Sequence, residues 1–299
     1  MSELVGVCVP VCTPFDATGE QTDEAALRDH IDAMIESGVH IVLVCGGTGE
    51  FAYLRQAEKR RIVEIASMHI DGRIQFMVQT SAINTADTIE NTMHAFDHGA
   101  DACMILPPYF EGPDMEGVYQ HYAAIAAAVD VPIMVYNIPQ HSGIDIQPAF
   151  FKRLLEIDQI RYIKDSTGDL IRIQELLGTG GTVFNGGDPI TFQALVAGCP
   201  GCVWGAVNAM PREAVRLFDL VQTGRLNEAN ALWKRMLPSQ LYFWSHVYNA
   251  TVKAATRLAG RDLGPCRAPV QPLTDAALVE LKAALAPLDI GTTPTQIAV

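Results

Sequence analysis

Short apolar, β-branched runs alternate with longer stretches in which apolar residues recur every three or four positions, and the alternation continues as far as Trp204. The strand-like runs are residues 5–9, 39–44, 74–79, 102–106, 132–136, 160–164, 182–185 and 202–204. Between them lie amphipathic stretches such as 23–37, 57–69, 85–98 and 115–128, with the helical period. Strand then helix, repeated eight times, predicts parallel pairing through right-handed crossovers, and eight such units close into a barrel. A doubly wound sheet is the competing architecture. Its glycine-rich turn belongs after the first strand, where this chain has Pro10-Val11-Cys12-Thr13-Pro14. The expected fold is therefore a TIM (β/α)8 barrel over residues 1–224, followed by a C-terminal helical extension over 225–299, in which 226–247 and 276–285 read as helix.

Composition narrows the classes of function. With 49% hydrophobic and 18% charged residues the chain has ample material for a buried core, and a formal net charge of −13 disfavours binding to phosphate backbones. The start, Met1-Ser2-Glu3-Leu4, has no basic segment leading into an apolar one, and no run of 18 apolar residues occurs. The expectation is a soluble, cytoplasmic protein with no nucleic-acid or membrane partner. Seven cysteines scattered through apolar stretches read as reduced core residues. Cys199-Pro200-Gly201-Cys202 reads as a turn with two small thiols, because no second such pair accompanies it. His94 and His98, four apart on a helix, read as a solvated face, and no metal is expected.

Candidate chemistry lies at the C-terminal ends of the strands, where α/β barrels assemble their active sites. The chain's lysines are Lys59, Lys152, Lys164, Lys234, Lys253 and Lys282, and all but Lys164 sit in helix-like stretches where a solvated charge needs no explanation. Lys164 instead follows the run Ile160-Arg161-Tyr162-Ile163 into a ring of strands. Burial there disfavours the ammonium. Bringing a lysine from its ordinary value to neutrality at pH 7 corresponds to about 4.6 kcal/mol. A neutral amine can form a Schiff base with a ketone and so permit C–C cleavage, aldol addition or loss of water. Read alone, Lys164 is as well explained by an ion pair with Asp165 or Glu50. Tyr136 ends the preceding strand and is placed to move protons at Lys164, while Gly46-Gly47-Thr48-Gly49 can turn tightly and point N–H groups at a carboxylate.

Together, Gly47-Thr48-Gly49-Glu50, Tyr136-Asn137-Ile138-Pro139, the lysine strand 160–164 and Gly186 resemble the dihydrodipicolinate synthase and N-acetylneuraminate lyase family over essentially the whole chain. The resemblance implies a Schiff base between Lys164 and pyruvate or another 2-oxo acid, with Tyr136 transferring protons. It also implies that Gly47 and Thr48 hold the oxo-acid carboxylate and that Gly186 and Val203 line the pocket. A homo-oligomer, a dimer of dimers, is implied, with no metal or organic cofactor. The synthases carry a second threonine where this chain has Gly47, a tyrosine donated across the dimer where it has Phe110 beside Tyr109, and a substrate-binding arginine where it has His141. These departures direct the first expectation to a Schiff-base lyase in the broad sense, an aldolase or a dehydratase or deaminase of 2-keto-3-deoxy acids. Dihydrodipicolinate synthase activity is the alternative, and a non-catalytic 2-oxo-acid binder the third.

Overall fold

In the computed structural model, which describes residues 3–291, eight parallel strands close into a barrel in chain order. They are β1 (Gly6–Pro10), β2 (Ile41–Val44), β3 (Gln75–Gln79), β4 (Ala102–Ile105), β5 (Ile133–Asn137), β6 (Ile160–Asp165), β7 (Thr182–Asn185) and β8 (Gly201–Val203). Around them run α1 (Glu24–Glu36), α2 (Gln56–Ile70), α3 (Thr85–Asp97), α4 (Met115–Ala128), α5 (Pro139–Ser142), α6 (Pro148–Leu154), α7 (Leu170–Leu177), α8 (Thr191–Val196) and α9 (Pro211–Gln222). The remaining helices, α10 (Leu226–Ser245), α11 (Tyr248–Leu258) and α12 (Asp275–Leu285), form the extension, whose expected last residues, 292–299, lie outside the described ones. Among the described residues no helix is long and apolar enough to cross a membrane.

The strands are apolar on both faces because both faces are covered. One set, including Cys8, Leu43, Met77, Met104, Met134, Tyr162, Phe184 and Val203, fills the barrel. The alternate set, including Val9, Val42, Val78, Val135 and Ile163, packs beneath the helices. Parity then places Tyr136 and Lys164 inside, two residues beyond Met134 and Tyr162 respectively.

Boundaries differ from the sequence expectation where pairing overrides local preference. β1 begins at Gly6 because Gly6 pairs with Gly201 of β8, which leaves Val5 outside the ladder. β8 ends at Val203 because Trp204 turns outward and its indole donates to Gln240 Oε1 of α10 at 2.9 Å. Helix ends agree with the sequence chemistry: Asp23, Asn84 and Asp114 act as N-caps, accepting from Ala26, Asp87 and Gly117. The expected 226–247 helix stops at Ser245, where His246 Nδ1 meets the Tyr242 carbonyl at 2.8 Å.

Asn208, after β8, ties the barrel's closure. It accepts from the Cys12 amide at 2.9 Å, donates to the carbonyls of Pro10 (3.0 Å) and Gly205 (2.8 Å), and meets His30 Nε2 at 2.8 Å. Burial holds His30 neutral, with its pKa down to about 4 from 6.5. The unfolded chain therefore takes up this proton at higher pH than the folded one. The His30 contribution is complete above pH 6.5 and falls away as the pH drops toward 4, by about 3 kcal/mol. We expect the denaturation midpoint to fall over that window, and His30→Gln to flatten the decline.

Candidate active site

Register brings the lysine and the tyrosine together. Tyr136 of β5 pairs with Lys164 of β6, and Lys164 Nζ stands 3.9 Å from the centroid of the Tyr136 ring. Both side chains are about 6% exposed. The two acids that an ion-pair reading assigns to Lys164 are engaged elsewhere. Asp165, next along β6, faces the other way and accepts from Asn137 Nδ2 at 2.8 Å and from the Thr167 amide at 3.1 Å. Glu50 is bound to Lys253 in an ion pair, with Nζ 2.7 Å from Oε1. An amine on an aromatic face, with those acids turned away, is arranged for reaction with a carbonyl carbon.

Gly186, following β7, makes room for it. A Cβ at 186 would lie 2.6 Å from Lys164 Cε and 3.0 Å from its Cγ, and would also strike Ser166 Oγ. Gly186→Ala is therefore expected to displace the amine and slow covalent capture of a 2-oxo acid by roughly ten- to a hundredfold, with the fold intact. Borohydride trapping rates, compared with wild type at matched thermal stability, measure this. An unchanged rate would mean that the pocket has slack.

The loop after β2 closes another side of the mouth. Its backbone is left-handed at Cys45 (φ 56°) and Glu50 (φ 60°), both non-glycine residues, so the surroundings must hold it in place. Thr13 Oγ1 donates to the Gly49 carbonyl at 2.7 Å, and Asn249 Nδ2 of α11 donates to the Gly47 carbonyl at 3.1 Å. The amide of Arg267 donates to Glu50 Oε2 at 2.9 Å. Thr48 is buried, and a Cβ at Gly47 would lie 3.9 Å from the Tyr136 hydroxyl, so position 47 borders the lysine–tyrosine pair. Val203 is buried in the barrel interior.

Lys253 corrects one expectation. Far from being solvated, it is buried in the extension between Glu50 and the Pro265 carbonyl (2.9 Å), with the Phe15 ring 4.4 Å away. Nothing in its helical sequence context distinguishes it, since only the docking of α11 onto the barrel buries it.

Other expected residues lie farther out. His141 is exposed on α5, and Phe110 is 69% exposed in the loop after β4. Tyr109 beside it is partly buried, edge-on to Phe51 at 6.2 Å. Cys199 and Cys202 are free, buried thiols that burial pushes up, to about 12 for Cys199, which makes them poor nucleophiles and ligands. His94 and His98 are half-buried rather than solvated. They lie with Glu64 on the outer helices, with ligand atoms all within 4.8 Å of one another.

Sequence reading missed one pair altogether. Asp188, two residues past Gly186, accepts from the Tyr248 hydroxyl at 2.7 Å. The Asp188 carboxyl is pushed up to about 7, first by burial, against the opposing pull of the Tyr248 bond and the Lys164 charge. A strand-end acid was the available signal. Its partner arrives from the extension, at a distance in sequence that no local pattern reveals.

The chain matches the Dihydrodipicolinate synthetase family over residues 3–288. It is 35% identical over 283 residues to the 4-hydroxy-tetrahydrodipicolinate synthase of Pelobacter propionicus, covering 94% of this chain and 97% of that one. Against the synthase of Methanothrix thermoacetophila it is 32% identical over 281 residues, 93% of this chain and 94% of the relative. The crystal structure of dihydrodipicolinate synthase from Acinetobacter baumannii complexed with pyruvate superposes with a TM-score of 0.91 at 29% identity, covering 96% of this chain and 100% of that one. A prophage protein of the dihydrodipicolinic acid synthase family from E. coli K12, in complex with pyruvate, gives 0.91 at 28% identity, covering 97% and 100%. At such identity over nearly the whole of both chains the likeness passes beyond the fold: the chain belongs to the dihydrodipicolinate synthetase family and is an enzyme of its lysine Schiff-base, class I aldolase kind.

Proposed function

We propose that this enzyme is a 4-hydroxy-tetrahydrodipicolinate synthase, condensing pyruvate with aspartate semialdehyde through a Schiff base on Lys164. The observation that carries the lysine chemistry is the approach of Nζ to within 3.9 Å of the Tyr136 ring centre at the barrel mouth. The choice of reaction is supported by synthases 32–35% identical along nearly their whole length, and it displaces the broader lyase or dehydratase as the leading reading. In this reading the Gly47 and Thr48 backbone receives the pyruvate carboxylate. Lys164 attacks the ketone to give a carbinolamine, and Tyr136 gives its phenolic proton to the departing water. The Tyr136 phenolate then takes a methyl proton from the iminium, which yields the enamine whose carbon attacks the aldehyde. Gly186 and Val203 shape the pocket, while His141 and Phe110 stand on the side from which the second substrate enters. A homo-oligomer, a dimer of dimers, belongs to the same reading, as the family resemblance implies.

The test is turnover of pyruvate with aspartate semialdehyde by the wild-type enzyme. Tyr136→Phe is expected to reduce that turnover by about a hundredfold, as expected for a lost acid–base group, while leaving pyruvate binding in place. A second reading, a lyase or dehydratase of 2-keto-3-deoxy acids, is favoured by one observation. Position 47 presents no hydroxyl to Tyr136, although the space beside it is open. Rapid turnover of such acids with none of the semialdehyde would select it.

A further inference from the structure

Two imidazoles and a carboxylate meet where α2 and α3 pack side by side on the outer ring of helices. His94 and His98 stand one turn apart at the end of α3, with ring centroids 4.2 Å apart and planes inclined at 45°. Glu64 faces them from α2, its Oε1 3.9 Å from His94 Nε2. One ligand atom from each of the three lies within 4.8 Å of the other two. All three residues are half-buried, so the i,i+4 spacing that reads as a solvated face in the sequence is pressed against a neighbouring helix.

Surrounding groups hold this arrangement. His98 Nδ1 lies 2.7 Å from the His94 carbonyl. A carbonyl only accepts, so Nδ1 carries the proton and the lone pair of the neutral ring falls on Nε2. Metal-binding histidines commonly have their tautomer fixed by such a contact on the far nitrogen. The His98 carbonyl in turn accepts from the hydroxyl of Ser67, three residues beyond Glu64 on α2, which ties the end of α3 to the helix face that carries the carboxylate. Glu64 Oε2 stands 3.5 Å from Arg61 Nη1, while Oε1 is turned to His94. Arg61 is itself paired with Glu24 at 2.8 Å and Arg60 with Glu90 at 2.9 Å, so both neighbouring guanidinium charges are compensated. His94 Nε2 also lies 3.3 Å from the Arg60 carbonyl, a long contact to a group that already serves the ladder of α2.

We propose that His94, His98 and Glu64 form a binding site for a divalent transition metal ion of the zinc class, which clips α3 to α2. Zinc–ligand bonds of about 2.0–2.1 Å set two tetrahedral ligands about 3.4 Å apart. Closing the observed spans of 3.9 to 4.8 Å takes roughly 0.5–1.4 Å of side-chain movement, which rotation of three half-buried side chains supplies while Ser67 holds the backbones. On binding, the proton of His94 resides on Nδ1, and Nε2 exchanges the long Arg60 contact for the ion. Two imidazoles with one carboxylate select zinc, nickel or copper over magnesium and calcium, which take oxygen ligands. The role is mechanical: the ion joins two helices of the outer ring and takes no part at Lys164.

The experiment is calorimetric titration of the whole, untagged enzyme with zinc chloride after stripping with EDTA, together with its thermal midpoint with and without the ion. Wild type is expected to take up one zinc per chain and to gain at least about 2 °C at saturating zinc, with no gain from magnesium. His98→Gln and Glu64→Gln remove one ligand from each helix. Each should weaken zinc binding at least about tenfold and erase the thermal gain. Should His98→Gln fail to fold, Glu64→Gln alone decides. No uptake below about a hundred micromolar zinc overturns the site. Uptake that survives undiminished in both variants overturns it too, because the ion then sits on other residues.

Discussion

Lys164→Ala is expected to yield no adduct with pyruvate and borohydride, and turnover should fall by roughly a thousandfold or more, as the loss of a covalent nucleophile does. The wild-type enzyme should carry a single adduct, and peptide mapping should place it on Lys164. The physical basis is the enclosure of the amine, which Gly186 admits, which Tyr136 covers, and from which Asp165 and Glu50 are turned away. Lys164→Arg sharpens the result, because a guanidinium keeps the charge but cannot form an imine. It should be as inactive as the alanine variant while remaining nearer to wild type in thermal stability. Wild-type turnover in either variant would refute the mechanism, and an adduct on another lysine would move the site.

Lys253→Ala is expected to destabilise the fold by about 3–5 kcal/mol, the usual result of removing one partner from a buried ion pair. The Glu50 side chain is 0% exposed and that of Lys253 4%, so water cannot replace the lost partner. Loss of Lys253 also strips the Pro265 carbonyl of its donor. Because Glu50 ends the loop that carries Gly47 and Thr48, the damage should reach the site, and pyruvate should bind more weakly as well. The double variant Glu50→Gln with Lys253→Met should recover much of the stability, since it leaves no uncompensated charge. Denaturant midpoints measure both, and a loss below about 1 kcal/mol in Lys253→Ala would show that the pair is solvated after all.

The barrel was legible because each β/α unit states itself locally. Residues such as Val42, Val78, Val135 and Ile163 are apolar for the helix side, and Leu43, Met77, Met134 and Tyr162 for the barrel interior. That pattern survives any error of one residue at a strand end, such as those at β1 and β8, where the ladder between Gly6 and Gly201 decided the boundary. The lysine and tyrosine were legible for the same reason. They are polar residues closing otherwise apolar strands, and adjacent strands of a parallel barrel place such ends side by side.

What could not be read was whatever depends on the extension folding back. Lys253, Asn249 and Tyr248 lie on one helix with an ordinary composition, yet they reach Glu50, Gly47 and Asp188 respectively. The sequence alone determined the strand order, the inward lysine and the acidic net charge, because periodicity and charge are read along the chain. Only the tertiary structure decided which acid neutralises which base, where a buried carboxyl meets a phenol, and that Asp165 and Glu50 are engaged away from Lys164. Such pairings depend on distances between segments that are remote in sequence, and burial sets their energy only once those segments have closed over them.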